Sequence, residues 1–317
     1  MNKILETTKF VVENSDFVKI NQSKVEEIAK LFKMQDQSNW LQDSPFPINS
    51  LNDEEKLMFS VVFNALSFSY WGNPYWNVEY KGVLHTRGSW SLVASIFRSI
   101  DEGHSLLDPY ILKSIDKLQL GNSLRGNTEI PLLSERVNIL NKIGNVIVQS
   151  YNGKFSNFMI MHNFDAIELQ ESIINKFEPA FTDSYNFKGK TVYFNKRAQA
   201  MVESIYSIFE GRKYGDIKNI EELTALADYI IPNLLRSLNV LEYSKELTNL
   251  IDSKTLLEKG SNYEIEIRAA TVWVVELIKL KLASVRIFCK AQSINDYLWT
   301  IGRDVKTPFH LVRTIAY

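Results

Sequence analysis

The stretch YEIEIRAATVWVVELIKLKLASVRIFC, residues 263–289, decides the fold. Apolar side chains occupy most sides of the helix that this stretch would form, among them Val272, Trp273, Val275 and Leu280. A helix that is apolar all round is normally enclosed by other elements. We therefore predict a long central helix over residues 263–289, with the rest of the chain packed around it.

Other segments carry the same helical pattern. Apolar residues recur at three- and four-residue steps over residues 132–151 and 191–210, and Gly211 is a stop signal for the second of these. Residues 52–55, Asn-Asp-Glu-Glu, offer a cap and an acidic first turn for a helix that ends near Trp71. These segments predict at least three further long helices.

Strands are a minor component of the predicted fold. Alternation at Trp76, Val78 and Tyr80 before Gly82 predicts a short hairpin over residues 76–86. There is no β-α-β alternation, no internal repeat and no Pro/Gly/Ser linker. We predict a mainly α protein with one large helical domain over residues 1–317.

Composition excludes several classes of protein. The 36 basic and 37 acidic residues give a formal net charge of −1, so the chain lacks the bulk positive field of many nucleic-acid binders and of polybasic membrane anchors. A single cysteine, Cys289, permits no intrachain disulfide and fits a reducing compartment, and we expect it to be a buried packing residue of the central helix. With no apolar window long enough to span a bilayer, we expect a soluble, cytoplasmic protein.

Common catalytic motifs are missing. The sequence has no Walker A segment, no GxGxxG after a strand and no GxSxG. His85, His104, His162 and His310 lie far apart, without the spacing of metal ligands on a helix, so we predict no metal site. If the chain is an enzyme, carboxylates are the expected catalytic groups.

One carboxylate is conspicuous within Leu223–Pro232, LTALADYIIP. Asp228 follows what reads as an apolar helical turn and precedes a break set by Pro232, a place that suits a side chain pointing into a pocket. The alternative is a helix-terminal cap, since Asp favours such positions.

Several segments resemble the queuosine salvage protein family, in the family's order and over nearly the whole chain. The matching stretches are Phe10–Val18, Gly88–Leu92 with Asp101–Gly103, Phe194–Gln199, Leu223–Pro232 with Leu241–Ser244, Glu264–Ile278, Asp296–Trp299 and Pro308–Tyr317. The resemblance implies a helical fold akin to the helical DNA glycosylases. It also implies hydrolysis of queuosine 5′-phosphate at its N-glycosidic bond to release queuine for tRNA modification, with no metal or organic cofactor.

The resemblance assigns roles to residues of this chain. Asp228 matches the catalytic aspartate, and a carboxylate beneath the ribose suits an oxocarbenium-like transition state. Lys196 matches a contact to the 5′-phosphate, while its neighbour Arg197 would pair with a structural carboxylate. The helical trio of Glu264, Glu266 and Arg268 is interpreted mainly as a buried structural network.

The base would be held by other residues. Asp296 and Tyr297 resemble the family's acidic-aromatic pair, and the resemblance implies that this region contacts the base. A carboxylate there would accept hydrogen bonds from the amine donors of a 7-deazaguanine edge. A register shift by one residue would put Asn295 in the acidic position. Trp90 and Trp71 are candidates for the pocket wall, although aromatic side chains more often belong to the core.

Three departures from the family pattern lie in the expected base pocket. The histidine that the family has upstream of its first long helix has no counterpart in residues 42–47. Leu226 stands where the family usually has Phe, and we take it as an aliphatic substrate contact; Thr300 stands where the family often has Asp. The alternatives are therefore an N-glycosidase for another modified purine nucleotide, or a non-catalytic protein that binds queuine or its nucleotide. A helical DNA glycosylase is disfavoured by the missing basic face. The sequence gives no oligomeric state.

Overall fold

The structure, a computed structural model, describes residues 2–32, 41, 44–86 and 88–317. About 55% of the chain is helical, and the strands form only small two-stranded sheets, so the predicted mainly α fold is confirmed. The helices are α1 (Lys3–Glu13), α2 (Gln22–Leu31), α3 (Asp53–Leu66), α4 (Ser89–Asp101), α5 (Pro109–Leu112), α6 (Lys117–Ser123), α7 (Leu133–Ser150), α8 (Phe155–Met161), α9 (Ala166–Lys176), α10 (Lys196–Ile208), α11 (Ile230–Ser237), α12 (Lys245–Asp252), α13 (Asn262–Ser284) and α14 (Ala291–Gly302).

Short strands pair between distant parts of the chain as well as locally. They are β1 (Val18–Ile20), β2 (Val78–Tyr80), β3 (Val83–His85), β4 (Ser184–Phe187), β5 (Lys190–Tyr193), β6 (Leu241–Tyr243), β7 (Leu256–Leu257) and β8 (Leu311–Val312). The pairs β1–β6, β2–β3 and β4–β5 are antiparallel, and β7–β8 is parallel. The predicted hairpin over residues 76–86 is confirmed by the pairing of β2 with β3.

Helix α13 is central, as its sequence predicts. Every residue from Glu264 to Val272 is buried. Ile265 and Ala269 belong to a hydrophobic cluster with α1 and β5, whereas Val274 and Ile278 belong to another with α2, α11 and α14. One helix therefore contributes to two adjoining parts of the core.

The C-terminal end of α13 was predicted wrongly. The helix ends at Ser284, five residues before the predicted boundary, and Arg286 adopts a positive φ of 64°. Val285 and Phe288 are largely exposed, at 64% and 75%. The apolar sequence pattern continues past Ser284, although the helix has ended there and these side chains no longer pack in the core. Cys289 is consequently half-buried and non-helical rather than a helical packing residue.

Helix α3 begins as predicted and ends early. Asn52 and Glu55 form the expected capping box, with Asn52 Oδ1 accepting from the Glu55 N–H at 3.0 Å. The helix ends at Leu66, five residues before Trp71. At this end the buried Arg136 guanidinium, rather than helical N–H groups, donates hydrogen bonds to the backbone carbonyls. It donates to the Leu66 carbonyl at 2.5 Å and to the Phe68 carbonyl at 2.6 Å.

Candidate active site

A cavity of about 290 Å³ lies between several parts of the chain. Most of its lining comes from the C-terminal half of α3, one face of α10, the segment 226–230 and helix α14. The rest comes from Ser67, Tyr70, Tyr75, Ser89, Asn233, Arg303, Val305, Phe309 and Tyr317. That volume is near the lower end of the range for small-molecule sites, about 300–1,000 Å³. Asp228 and Lys196 both line this cavity.

The segment that carries Asp228 is not a helical turn. Residues 223–228 have no regular secondary structure and are held by side chains of α10 and α14. The Thr224 N–H donates to Gln199 Oε1 at 2.7 Å, Gln292 Nε2 donates to the Thr224 carbonyl at 3.2 Å, and the Leu226 N–H donates to Asn295 Oδ1 at 2.9 Å. Amide side chains thus supply hydrogen bonds that a helix or strand would otherwise give to these backbone groups.

Pro232 does not end a helix, contrary to the sequence-based interpretation. It is the third residue of α11, which begins at Ile230. The N–H groups of a helix's first turn have no intrahelical partner, so a proline there removes no helical hydrogen bond. Asp228 therefore stands directly before a helix that starts, rather than at a break.

The Asp228 carboxylate caps this helix while it faces the cavity. Its Oδ1 accepts hydrogen bonds from the N–H groups of Ile230 at 2.8 Å and Ile231 at 3.2 Å, and Trp299 adds a side-chain hydrogen bond. The residue is only 9% exposed. Capping and a pocket role, which the sequence analysis treats as alternatives, are compatible here. Both backbone donors use one oxygen of the carboxylate.

Burial and charge act in opposite directions on Asp228. Burial raises its pKa above the ordinary aspartate value, while the Lys196 ammonium and the hydrogen-bond donors lower it in part. At Lys196 the signs are reversed: burial lowers the pKa of the ammonium group, while the Asp228 carboxylate raises it in part. The two groups thus support each other's charged forms in a desolvated site.

An ion pair behind the cavity fixes both residues. Arg268, fully buried on α13, makes two 2.7 Å bonds to the carboxylate of Asp183. Asp183 Oδ2 also accepts from the backbone N–H of Lys196 at 3.0 Å, and Arg268 Nε donates to the carbonyl of Ala227 at 3.3 Å. The pair therefore anchors the chain at Lys196 and immediately before Asp228.

The two glutamates of the trio on α13, Glu264 and Glu266, have structural contacts, as interpreted from the sequence. Glu264 lies 3.8 Å from Arg268 and accepts from the Gly260 N–H at 2.6 Å. Glu266 accepts hydrogen bonds from the three consecutive N–H groups of residues 16–18, the shortest at 2.7 Å. Neither Glu264 nor Glu266 lines the cavity.

Glu203, which the sequence did not single out, lies at the cavity together with the predicted Asp296. Glu203 on α10 and Asp296 on α14 both line the cavity. Burial raises the pKa of each carboxyl. The charge of Glu203 raises the pKa of Asp296 further, while the charge of Lys290 lowers that of Glu203 in part. Glu203 lies seven residues after Lys196, which is two turns along the same helical face. That spacing was the available signal.

The remaining predicted base contacts divide into two groups. Leu226 lines the cavity, as does Asn295, the alternative to Asp296 in register. Tyr297 does not line it and instead makes an edge contact with Phe32 at 5.4 Å between ring centroids. Trp90 is also outside the lining, stacked on Phe46 at 6.1 Å. The structure therefore gives no support to substrate contacts by Tyr297 and Trp90.

Two further positions also lie away from the cavity. Trp71 is not part of its lining; the Arg313 guanidinium lies 3.6 Å from the centroid of its ring. Thr300 is exposed, so its departure from the family pattern does not alter the cavity wall. Of Leu226 and Thr300, it is Leu226 that lines the cavity.

No group of three or more His, Cys, Asp or Glu side chains in the part of the chain that the structure describes could hold a metal ion. Within the same residues, no helix combines the length and apolar character needed to cross a membrane.

Comparison with known proteins identifies the family. The sequence model described as "Queuosine salvage protein" matches residues 48–317. The chain belongs to the queuosine salvage protein family. It is 34% identical to a protein of Sphaerobacter thermophilus over 319 residues, covering 99% of this chain and 97% of the relative. It is 32% identical to a Bos taurus protein over 337 residues, covering 98% of each. Both of these queuosine salvage relatives are named queuosine 5′-phosphate N-glycosylase/hydrolase.

Proposed function

We propose that this protein hydrolyses the N-glycosidic bond of queuosine 5′-phosphate and releases queuine and ribose 5-phosphate. The observation that carries the proposal is the Asp228 carboxylate, held on the N-terminus of α11 and facing a cavity shared with Lys196. The names of the two relatives point to the same substrate.

The chemistry of the substrate explains why a carboxylate matters. A 7-deazapurine has carbon where a purine has N7, so the usual site for protonating the leaving base is missing. Cleavage must then rely on stabilising the positive charge that develops on the ribose. A carboxylate in a desolvated pocket does this more strongly than one in water.

Asp228 fits this task in its ionised form, whether it stabilises the oxocarbenium electrostatically or attacks it as a nucleophile. The N–H donors of Ile230 and Ile231 and the charge of Lys196 favour ionisation. Because these groups are already in place, they need no reorganisation as the ribose becomes positive. The carboxylate thus serves as a preorganised counter-charge.

The rest of the cavity suits the other parts of the nucleotide. Lys196 would hold the 5′-phosphate by charge-assisted hydrogen bonds. Leu226 would contact the base through its apolar side chain, and Asp296 would accept hydrogen bonds from it. This assignment needs no cofactor or nucleic-acid partner.

An assay of the purified protein tests the proposal. Queuosine 5′-phosphate is incubated with the protein, and queuine and ribose 5-phosphate are measured by chromatography with mass detection. Equal amounts of both products support hydrolysis. Thermal stabilisation by the nucleotide without release of base would instead indicate a binding protein.

A second candidate is an N-glycosidase for another modified purine nucleotide, which the aliphatic Leu226 in the cavity wall favours. A panel of nucleoside 5′-phosphates, including GMP and 7-deaza-GMP, separates the two. Faster turnover of a nucleotide that keeps N7 would contradict the queuosine assignment. Salt-sensitive binding to duplex DNA would point to a DNA glycosylase.

A further inference from the structure

The acidic end of the cavity has no assigned partner. Glu203 and Asp296 extend from different helices, α10 and α14, into the same cavity. Among the described residues each carboxyl has one side-chain hydrogen bond: Ser207 Oγ donates to Glu203 Oε1 at 2.8 Å, and Asn295 Nδ2 donates to Asp296 Oδ1 at 3.4 Å. The charge of Lys290 also acts on Glu203, and Arg303 lines the same cavity. Two carboxyl groups placed together away from water repel each other unless a proton or a cation joins them.

This acidic end lies at a definite distance from the ribose end. Lys196 and Glu203 are seven residues apart on α10, which corresponds to about 10 Å along the helix axis. Ala200 and Ser204, on the same face, line the cavity between them. The cavity therefore has Lys196 and Asp228 at one end and the carboxyl pair at the other, a separation similar to that between a ribose and the far substituent of its base.

The chemistry of the substrate supplies a cation of suitable form. Queuine carries at C7 an aminomethyl arm whose nitrogen is a secondary alkyl amine, and such an amine is protonated at neutral pH. A secondary ammonium has two N–H donors. Glu203 and Asp296 offer one acceptor group each, from two different helices that line the cavity. Charge-assisted hydrogen bonds are stronger than neutral ones.

We propose, on the basis of the function proposed above, that Glu203 and Asp296 together bind the protonated secondary amine on the C7 arm of the base. Glu203 is then a specificity-determining residue: the enzyme selects 7-deazaguanine nucleotides by the positive charge of the arm. The apolar Leu226 is left to contact the ring, and Asp228 acts on the ribose independently of the arm.

Two nucleotides that differ only in the arm test this proposal. The 5′-phosphates of 7-aminomethyl-7-deazaguanosine, which is cationic, and of 7-cyano-7-deazaguanosine, which is neutral, are compared with queuosine 5′-phosphate. In the Glu203→Gln variant we expect kcat/KM to fall roughly 10- to 100-fold for the two cationic substrates, the loss expected for a hydrogen bond to a charged group. For the cyano substrate it should change by less than about threefold.

Each measurement is a ratio of variant to wild type, so differences in leaving-group reactivity between the substrates cancel. Glu203→Gln keeps the size of the side chain and an acceptor for Ser207. Glu171→Gln, at an exposed position of α9, is the matched control and should leave all three rates unchanged. If Glu203→Gln does not fold, calorimetry of the wild-type protein with the free bases 7-aminomethyl- and 7-cyano-7-deazaguanine still decides the question, because binding of a free base is independent of leaving-group reactivity.

Three results would overturn the proposal. The first is an equal loss for cationic and neutral substrates, which would mean that the pair binds a part common to both. The second is no loss for any substrate, and the third is a wild-type protein that binds free 7-aminomethyl-7-deazaguanine no more tightly than 7-cyano-7-deazaguanine. Failure of the proposed function looks different, because no base is then released from any nucleotide. In that case calorimetric binding of free queuine and of the cyano base answers the same question, and a Glu203-dependent preference for queuine supports the proposal.

Discussion

Replacement of Asp228 by Asn is the most direct test of the electrostatic role. Asn keeps the size of the side chain and an oxygen that accepts from Ile230 and Ile231, but it removes the negative charge. At about 4 Å, and with an effective dielectric constant of about 20, a full pair of opposite charges is worth roughly 4 kcal/mol. A single preorganised group typically contributes about 2.7–4 kcal/mol to a transition state, so kcat should fall roughly 10²- to 10³-fold.

Stability should hardly change in the same variant. Asn and Asp are similar helix caps, so the free energy of unfolding should shift by less than about 1 kcal/mol. The sign can be given as well. Because the pKa of Asp228 is raised in the folded protein, its ionisation opposes folding at neutral pH, and the neutral Asn should be no less stable than Asp. Asp228→Ala, by contrast, also loses the cap and should cost about 1 kcal/mol.

Single-turnover release of queuine from queuosine 5′-phosphate measures the rate constant of the cleavage step, multiple-turnover release measures kcat, and thermal unfolding measures stability. Asp116→Asn is the matched control, since Asp116 caps the exposed start of α6 far from the cavity. A turnover of Asp228→Asn within about threefold of wild type, in a folded protein, would refute the assigned role.

Two other predictions concern the groups around Asp228. Lys196→Met removes a charge that lowers the pKa of Asp228, so that pKa should rise and the acidic limb of the kcat/KM profile should move to higher pH; an unmoved limb would contradict the coupling. Asp183→Asn removes the carboxylate that makes both 2.7 Å bonds to the buried Arg268 guanidinium and leaves Glu264, at 3.8 Å, as the remaining acidic neighbour. This change should lower the free energy of unfolding in urea by about 3 kcal/mol. In the protein that still folds, kcat should fall by a larger factor than KM changes, because the anchor of both Lys196 and Asp228 is weakened. A decrease in the free energy of unfolding of less than about 1 kcal/mol would argue against the pair as an anchor.

Much of the fold follows from local patterns. The capping box at Asn52, the hairpin of β2 and β3 and the stop at Gly211, which has a φ of 68°, are all set by residues close in sequence. The apolar character of residues 263–284 likewise predicts a buried helix. Turn, cap and periodicity signals of this kind act over a few residues, so they can be read without knowledge of the tertiary fold.

Helix ends were predicted less well because distant residues set them. The end of α3 depends on Arg136, which lies about 70 positions further along the chain and takes the carbonyls after Leu66. The shape of residues 223–228 depends on Gln199, Gln292 and Asn295. No local pattern contains these partners.

The sequence by itself determined the mainly helical architecture, the buried α13 and the importance of Asp228 and Lys196 as candidates. Only the tertiary structure decided which polar residues share a cavity: it brought Glu203 beside Asp296 and left Tyr297 and Trp90 outside the lining. The physical reason is that helical periodicity fixes which face of a helix a residue occupies, whereas the packing of whole helices fixes what that face meets.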